Sequence, residues 1–243
     1  TFCLSSRRWR RMSEMKRPFQ VTMRWGEIIG GVIWLVIYGF FMGDILSLAL
    51  GLLGISYTTA QLNALFFLCN FVITALVFRR FLTKNLMLVP GNLLRILKGM
   101  LVGFCIYWLL QVGIGIIGDL LSGNIDIPND DTIASIADEN YRIMWAGAVL
   151  LAPMVEEPLV RGLVFGNVRR LNRVAAYAAA AAVFAAMHVL SYLGQMDALT
   201  LGYNILAYAM PSIALCACYE YTGNIWAPIG LHMIINALGM SAM

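Results

Sequence analysis

The chain has 243 residues, of which 60% are hydrophobic and only 12% are charged. A soluble domain is about 45–50% apolar and about 25% charged, so a water-soluble core would not hold this apolar excess. The formal charge of +4 comes from basic residues that lie between the apolar runs, as loop charges do in membrane proteins. This distribution excludes a nucleic-acid-binding surface and indicates an integral membrane protein.

The apolar runs predict an all-α polytopic transmembrane bundle of seven to eight spans. Runs of about 18–25 residues suit spanning helices, whereas barrel strands are about 10 residues long and alternate. The first run is long and glycine-containing, so it is either one tilted helix or a helix plus a short re-entrant piece. Residues 1–26 are predicted to form a basic segment before a single transmembrane domain, 27–243, with the chemical motifs in 143–243. The predicted spans are 27–54, 61–78, 99–121, 143–166, 174–194, 199–219 and 224–241.

The loop charges predict the orientation of the bundle. Seven Lys and Arg residues precede the first span, five more lie in 79–98, and three lie in 167–173. The segment 122–142 instead carries five acidic residues and a single Arg. The positive-inside rule therefore predicts a cytoplasmic N-terminus. The expected location is a bacterial or archaeal cell membrane.

The fourth predicted span carries two adjacent carboxylates and a cation, in the run Glu-Glu-Pro-Leu-Val-Arg-Gly that begins at Glu156. Charged side chains inside a membrane are costly and mark functional sites by default. Glu157 and Arg161 are four residues apart, so they share a helix face and are expected to pair. Glu156 is offset by about 100° and has no partner at that spacing, which makes it a candidate general base. The alternative is a charged triplet at a helix end with a purely structural role.

The chain has two histidines, His188 and His232, and both lie within apolar spans. His188 follows Phe184 by four residues, and Asn236 follows His232 by four, so each pair shares one helix face. A lone histidine in a membrane helix is often a hydrogen bond between helices. Two histidines on separate spans, beside a helix with paired carboxylates, favour a catalytic site.

In chain order, the motifs Glu156–Arg161, Phe184–His188 and His232–Asn236 resemble the signature of the CPBP family. That family includes the CAAX prenyl endopeptidases and bacterial proteins linked to bacteriocin immunity or peptide maturation. The resemblance covers about the C-terminal 100 residues and implies an intramembrane endopeptidase. Glu157 and Arg161 would then fix the first motif electrostatically. The implied site residues are Glu156, Glu157, Arg161, His188, His232 and Asn236.

The resemblance also implies a division of roles within the site. Glu156 would activate a water molecule, and His188 would help to hold or deprotonate it. His232 and Asn236 would stabilise the oxyanion that forms when water attacks a peptide carbonyl. The expected substrate is a membrane-associated peptide of the hydrophobic, leader or lipidated kind, and membrane lipid surrounds the protein.

Metal dependence divides this family, which has been described both as metalloproteases and as glutamate proteases without metal. If zinc is used, Glu156, His188 and His232 are the first candidate ligands. The sequence has no HExxH motif, so a zinc site would have to be assembled from three spans. Asn236 is a poor zinc ligand, because neutral amide oxygens suit that ion badly. A water activated by glutamate, with no metal or other cofactor, is favoured, and zinc is the alternative.

Two other functions fit parts of the pattern. A proton-coupled transporter would use intramembrane Glu, His and Asp44 as a relay, but the span count is low and no repeated half is evident. A non-catalytic immunity or scaffold protein of the same fold is the second alternative. The presence of every polar residue of the three motifs argues against it.

Overall fold

A computed structural model describes residues 19–121 and 125–242, and within these ranges the chain is helical and has no strands. The predicted all-α polytopic bundle is confirmed. Most of the predicted basic N-terminal segment, residues 1–18, lies outside the described residues, as do 122–124 of the acidic loop. The helices are α1 (Trp25–Phe40), α2 (Met42–Leu52), α3 (Thr59–Val77), α4 (Arg79–Met87), α5 (Val89–Leu120), α6 (Pro128–Val168), α7 (Arg173–Val189), α8 (Ala198–Thr222) and α9 (Trp226–Ala242).

The lengths of these helices bear on the number of spans. Within the described ranges, α3, α5, α6, α7 with its terminal 3₁₀ turn, and α8 are each long and apolar enough to cross a membrane. Helices α1 and α2 reach that length only as a pair, and they are bent by 67° at their junction. The predicted first span is therefore two helices with a bend between them rather than one continuous tilted helix. The predicted last span corresponds to α9, whose 17 residues are fewer than the roughly 20 that cross a bilayer core.

The surface of the bundle shows which helices meet lipid. Only 11% of the most apolar window of α5 is buried, compared with 67% of that of α6. Outward-facing leucines of α5, such as Leu109 and Leu120, are 74% and 79% exposed. Apolar patches of this extent are rare on soluble monomers, whereas hydrocarbon tails cover them without cost. Helix α5 therefore lies at the lipid boundary, and α6 runs through the centre of the protein.

The central helix α6 is irregular around the paired carboxylates. Ala146–Leu151 and Pro158–Phe165 are π-helical, and they flank the regular turns of Ala152–Glu157. Pro153 and Pro158 cannot donate a backbone hydrogen bond, so the ladder must widen or break beside them. Wide π turns of this kind are common at functional sites. Beside the two prolines the helix therefore widens without breaking, whereas its one non-helical residue, Asn140, makes a kink before the first wide turn.

The basic segments meet at one end of the bundle. Glu220, near the end of α8, pairs with Arg169 after α6 and with Arg173 at the start of α7, the latter at 3.0 Å. Tyr177 of α7 donates a hydrogen bond of 2.8 Å to the same carboxylate. These contacts lock together the ends of three helices whose loops are predicted to be cytoplasmic.

Two further contacts bring the other basic segments to that same end. Glu27 of α1 pairs with Arg80 at 3.2 Å and accepts the backbone N–H of Phe81 at 2.8 Å, which caps α4. Arg95 at the start of α5 donates two hydrogen bonds to the carbonyl of Tyr221, at 2.8 and 3.0 Å. The segments 79–98 and 167–173 therefore share one end with the start of α1.

Glu139 and Asp197 lie at the opposite end. Glu139 of α6 accepts the backbone N–H of Ala60 at the start of α3, at 3.2 Å. Asp197 caps the start of α8 by accepting the backbone N–H groups of Thr200 and Leu199, and these hydrogen bonds lower the pKa of its carboxyl. The bundle thus has a basic end and an acidic end.

Candidate active site

A buried ion pair forms the base of the site. Glu157 and Arg161 are both fully buried, and Arg161 Nη1 lies 3.0 Å from Glu157 Oε1. Arg161 Nη2 donates to Ser212 Oγ of α8 at 3.1 Å, and Ser212 in turn donates to the carbonyl of Ala180 in α7 at 3.1 Å. The guanidinium also lies 4.7 Å from the centre of the Phe184 ring. The pair expected from the four-residue spacing is present, and it ties α6 to α7 and α8.

His232 of α9 lies between the two glutamates. Its Nδ1 is 2.8 Å from Glu157 Oε1, and its Nε2 is 3.8 Å from Glu156 Oε2. A carboxylate only accepts, so the hydrogen of Nδ1 is donated to Glu157. This fixes the ring orientation and leaves Nε2 as the atom that faces Glu156 and the cavity. Glu157 therefore holds both Arg161 and His232.

Glu156 has a partner that the sequence did not indicate. Tyr38 of α1 donates a hydrogen bond of 3.2 Å to Glu156 Oε1. The spacing within α6 gave Glu156 no partner on its own helix, and this contact comes instead from a helix 118 positions away. The only sequence signal was the polar tip of a tyrosine within an apolar run, which membrane helices often carry for other reasons.

His188 is held by its own helix and by an aromatic stack. Its Nδ1 lies 2.8 Å from the carbonyl oxygen of Phe184, and its ring is 4.6 Å from the Phe184 ring. The other face stacks on Tyr208 of α8, at 4.5 Å and 18°. Because a carbonyl only accepts, Nδ1 donates and Nε2 is left as the free acceptor of the neutral ring. Within the described residues, no hydrogen bond joins His188 directly to Glu156.

Asn236 meets the irregular part of α6. Its amide nitrogen donates at 2.8 Å to the carbonyl of Ala148, which lies in the first π-helical stretch. One amide hydrogen of Asn236 is therefore used to hold α9 against α6. Its second hydrogen and its carbonyl oxygen are not used by that contact.

A cavity of about 820 Å³ joins these groups. Glu156, His188, His232, Asn236 and Tyr38 all line it, whereas the Glu157–Arg161 pair lies behind the wall. Its volume is near the upper end of the roughly 300–1,000 Å³ typical of small-ligand sites. The structure thus brings four of the six predicted site residues to one cavity and places the other two beneath it.

The three candidate zinc ligands were tested against this geometry. Glu156 Oε2 and His232 Nε2 are 3.8 Å apart, so these two lie close together. Within residues 19–121 and 125–242, however, no group of three His, Cys, Asp or Glu side chains is placed to hold a metal ion. His188 does not complete such a group, and the residues present do not fit a three-ligand zinc site.

Comparison with known proteins bears on the same region. Residues 138–238 match the family model of the Rce1-like type II CAAX prenyl endopeptidases, and this segment contains all six predicted site residues. UPF0177 protein YvdC of Lactococcus lactis subsp. lactis (strain IL1403) is 21% identical over 231 residues, which is 92% of this chain and 84% of that protein. No solved structure matches the chain. The segment 138–238, which carries the candidate site, is therefore similar to the Rce1-like type II CAAX prenyl endopeptidases.

Proposed function

We propose that this protein is an intramembrane endopeptidase that hydrolyses a peptide bond in a hydrophobic, leader or lipidated peptide. The observation that carries the proposal is the convergence of Glu156, His188, His232 and Asn236, from three helices, on one cavity. A carboxylate, two imidazoles and an amide supply the acceptors and donors that peptide hydrolysis needs.

In the proposed first step, Glu156 removes a proton from a water molecule as the water oxygen attacks the peptide carbonyl carbon. His188 Nε2 supplies a second acceptor that orients the water, because Nδ1 is already donated to the backbone. Tyr38 holds one oxygen of Glu156, so the other oxygen is the one presented to the water. The attack converts the planar peptide into a tetrahedral intermediate with a negative oxygen.

In the proposed second step, the intermediate collapses and the C–N bond breaks. The second amide hydrogen of Asn236 stabilises the negative oxygen, and His232 does so in its imidazolium form, in which Nε2 carries a hydrogen as well as Nδ1. Glu156 then passes the proton it took from water to the leaving nitrogen, which departs as an amine. The water is fully accounted for, since its hydroxyl stays on the new carboxyl group and its proton goes to the amine.

No step of this mechanism uses a metal ion or another cofactor. The support is the arrangement of donors described above, in which His232 Nδ1 is held by Glu157 and His188 Nδ1 is held by a backbone carbonyl.

The first prediction concerns orientation in the membrane. We propose that the basic end of the bundle is cytoplasmic, because the basic segments 79–98 and 167–173 meet there beside the start of α1. Single cysteines placed at Lys84 and Asp197, in a background without the native cysteines, should react with a membrane-impermeant maleimide from opposite sides. Lys84→Cys should label only from the cytoplasm, and Asp197→Cys only from outside. The reverse pattern would show that the bundle is inserted the other way.

The second prediction concerns the general base. Glu156→Gln keeps the size of the side chain and its contact with Tyr38, but it cannot accept a proton at neutral pH. Cleavage of a synthetic decapeptide library, followed by mass spectrometry, should fall by about 100-fold or more. His188→Ala should lose a similar factor.

The control for this experiment is Asp119→Asn, which changes an exposed acid of α5 outside the cavity and should cleave normally. Each variant must elute as folded protein in detergent and melt as the wild type does. Undiminished cleavage by folded Glu156→Gln would refute the proposed mechanism.

The third prediction concerns Tyr38 as a positioning residue. Tyr38→Phe removes only the hydroxyl that bonds to Glu156. A hydrogen bond to a charged group contributes about 1.5–3 kcal/mol, so kcat should fall by about 10–100-fold with little change in KM. Tyr203→Phe removes the hydroxyl of another cavity tyrosine and should leave kcat unchanged. Equal effects of the two variants, or a change in KM alone, would show that Tyr38 only shapes the cavity.

The fourth prediction concerns metal. Protein that has been dialysed against a chelator should contain no stoichiometric zinc and should keep its cleavage activity. The control is addition of zinc to the dialysed sample, which should not raise the rate. Loss of activity on chelation with recovery on adding zinc would mean that Glu156, His188 and His232 rearrange into a ligand set.

A further inference from the structure

The catalytic cavity is lined by acids and has no matching cations. Its charged lining residues are Asp44, Asp130 and Glu156, together with the two histidines. Within the described residues, no Lys or Arg lines the cavity. The fixed charge of its wall is therefore negative, although the whole chain carries a net charge of +4.

Asp44 is the most informative of these acids. It lies at the start of α2, just after the 67° bend, inside an apolar run. Within the described ranges it takes part in none of the salt bridges, all of which involve Glu27, Glu156, Glu157 or Glu220. Its side chain is exposed and lines the cavity wall, where no Lys or Arg of the described residues stands beside it.

Asp130 lies on the same cavity, close to the catalytic histidine. Tyr208 donates to Asp130 Oδ1 at 2.7 Å, and the Tyr208 ring stacks on His188. One hydroxyl satisfies only part of a carboxylate, which has about four acceptor positions. Asp130 therefore has acceptor positions that Tyr208 does not fill. Only the Tyr208 side chain separates it from His188.

A third acceptor on the cavity wall also lacks a donor. Gln111 Oε1 is buried and has no hydrogen-bond partner within the described residues, while its nitrogen donates to Tyr107 at 3.4 Å. Buried polar atoms are nearly always paired, so an unpaired acceptor on a binding cavity favours a ligand that donates. The carboxylates without a cation and the unpaired amide oxygen therefore both favour a ligand that donates hydrogen bonds.

The basic residues of the protein do not supply this cation. The described ion pairs of Arg80, Arg169 and Arg173 lie at the opposite end of the bundle. Arg142, on the acidic side, is exposed and does not line the cavity. A low-dielectric cleft with one sign of charge concentrates ligands of the opposite sign. A free C-terminal carboxylate would be repelled there, since no cation of the wall would receive it.

We propose that the peptide cleaved by this protein carries a lysine or arginine close to the scissile bond, and that this side chain pairs with Asp44 and Asp130. The proposal rests on the proposed function, because it assigns the substrate class of that same site. It also distinguishes between substrate types: a basic internal segment fits the cavity, and a CAAX-type carboxyl terminus does not.

A binding experiment tests the charge preference without requiring cleavage. The inactive Glu156→Gln protein, in neutral detergent micelles, is titrated into rhodamine-labelled decapeptides of one apolar sequence. The peptides carry two Lys, two Gln or two Glu at the same central positions, and anisotropy gives each Kd. The Lys peptide should bind about tenfold more tightly than the Gln peptide, and the Glu peptide more weakly than both. The preference should shrink at high salt.

Variants of the two acids locate the effect. Adding Asp44→Asn or Asp130→Asn should each reduce the Lys preference by about threefold, and the double change should remove it. Asp44→Lys should also remove it, because the new cation offsets the charge of Asp130. Asp119→Asn, the exposed acid outside the cavity, should leave the preference intact. Equal affinity for all three peptides, or a preference that survives the double change, would overturn the proposal.

Cleavage by the active protein separates this proposal from the proposed function. Wild-type protein is incubated with a decapeptide library, and the cut sites are read by mass spectrometry. Enrichment of Lys and Arg near the cut sites, lost in Asp44→Asn with Asp130→Asn, supports both. Cleavage without that enrichment would overturn the charge preference alone. An absence of cleavage would refute the proposed function, and the binding data would still decide whether the cavity selects cations.

Discussion

The buried pair of Glu157 and Arg161 is the interaction on which the site depends. Removing two charges from water costs several kcal/mol for each ion, and a buried pair recovers this only with good geometry and further hydrogen bonds. Both side chains here are fully buried, and Ser212 and His232 supply the additional partners. The pair therefore draws α6, α7, α8 and α9 together around one carboxylate. Loss of either charge would leave the other uncompensated, at a cost of about 3–5 kcal/mol.

The same carboxylate couples the fold to the chemistry. His232 is oriented by Glu157, so the atom it presents to the cavity is set by a residue that does not line the cavity. The wide turns of α6 have a comparable effect, since they leave the Ala148 carbonyl available to anchor Asn236. Two groups of the proposed oxyanion site are thus fixed by structural partners on α6. Preorganised donors of this kind need no rearrangement as charge develops in the transition state.

The spacing of residues along the chain predicted what lies within a single helix. The Glu157–Arg161 pair and the shared face of Phe184 and His188 follow from the geometry of a helical turn, and both are present. Contacts between helices were not predictable in this way. The bond between His232 and Glu157 joins residues 75 positions apart, and that between Tyr38 and Glu156 joins residues 118 apart. Such contacts depend on the crossing of whole helices, which local periodicity does not encode. The sequence likewise did not predict whether the first apolar run is one helix or two. A bend of 67° does not change the hydropathy of the run.

The separation of charge along the bundle links its placement in the membrane to its choice of substrate. Basic segments meet at one end, where in the proposed orientation they face the anionic cytoplasmic leaflet. Asp44 and Asp130 instead line the cavity, where none of the described residues beside them is a Lys or Arg. In a low-dielectric cleft these carboxylates attract a cation more strongly than they would in water. A chain that is basic overall therefore contains an acidic cavity. In the proposed reading, the asymmetry that orients the helices also makes a basic peptide the best electrostatic match for the cavity.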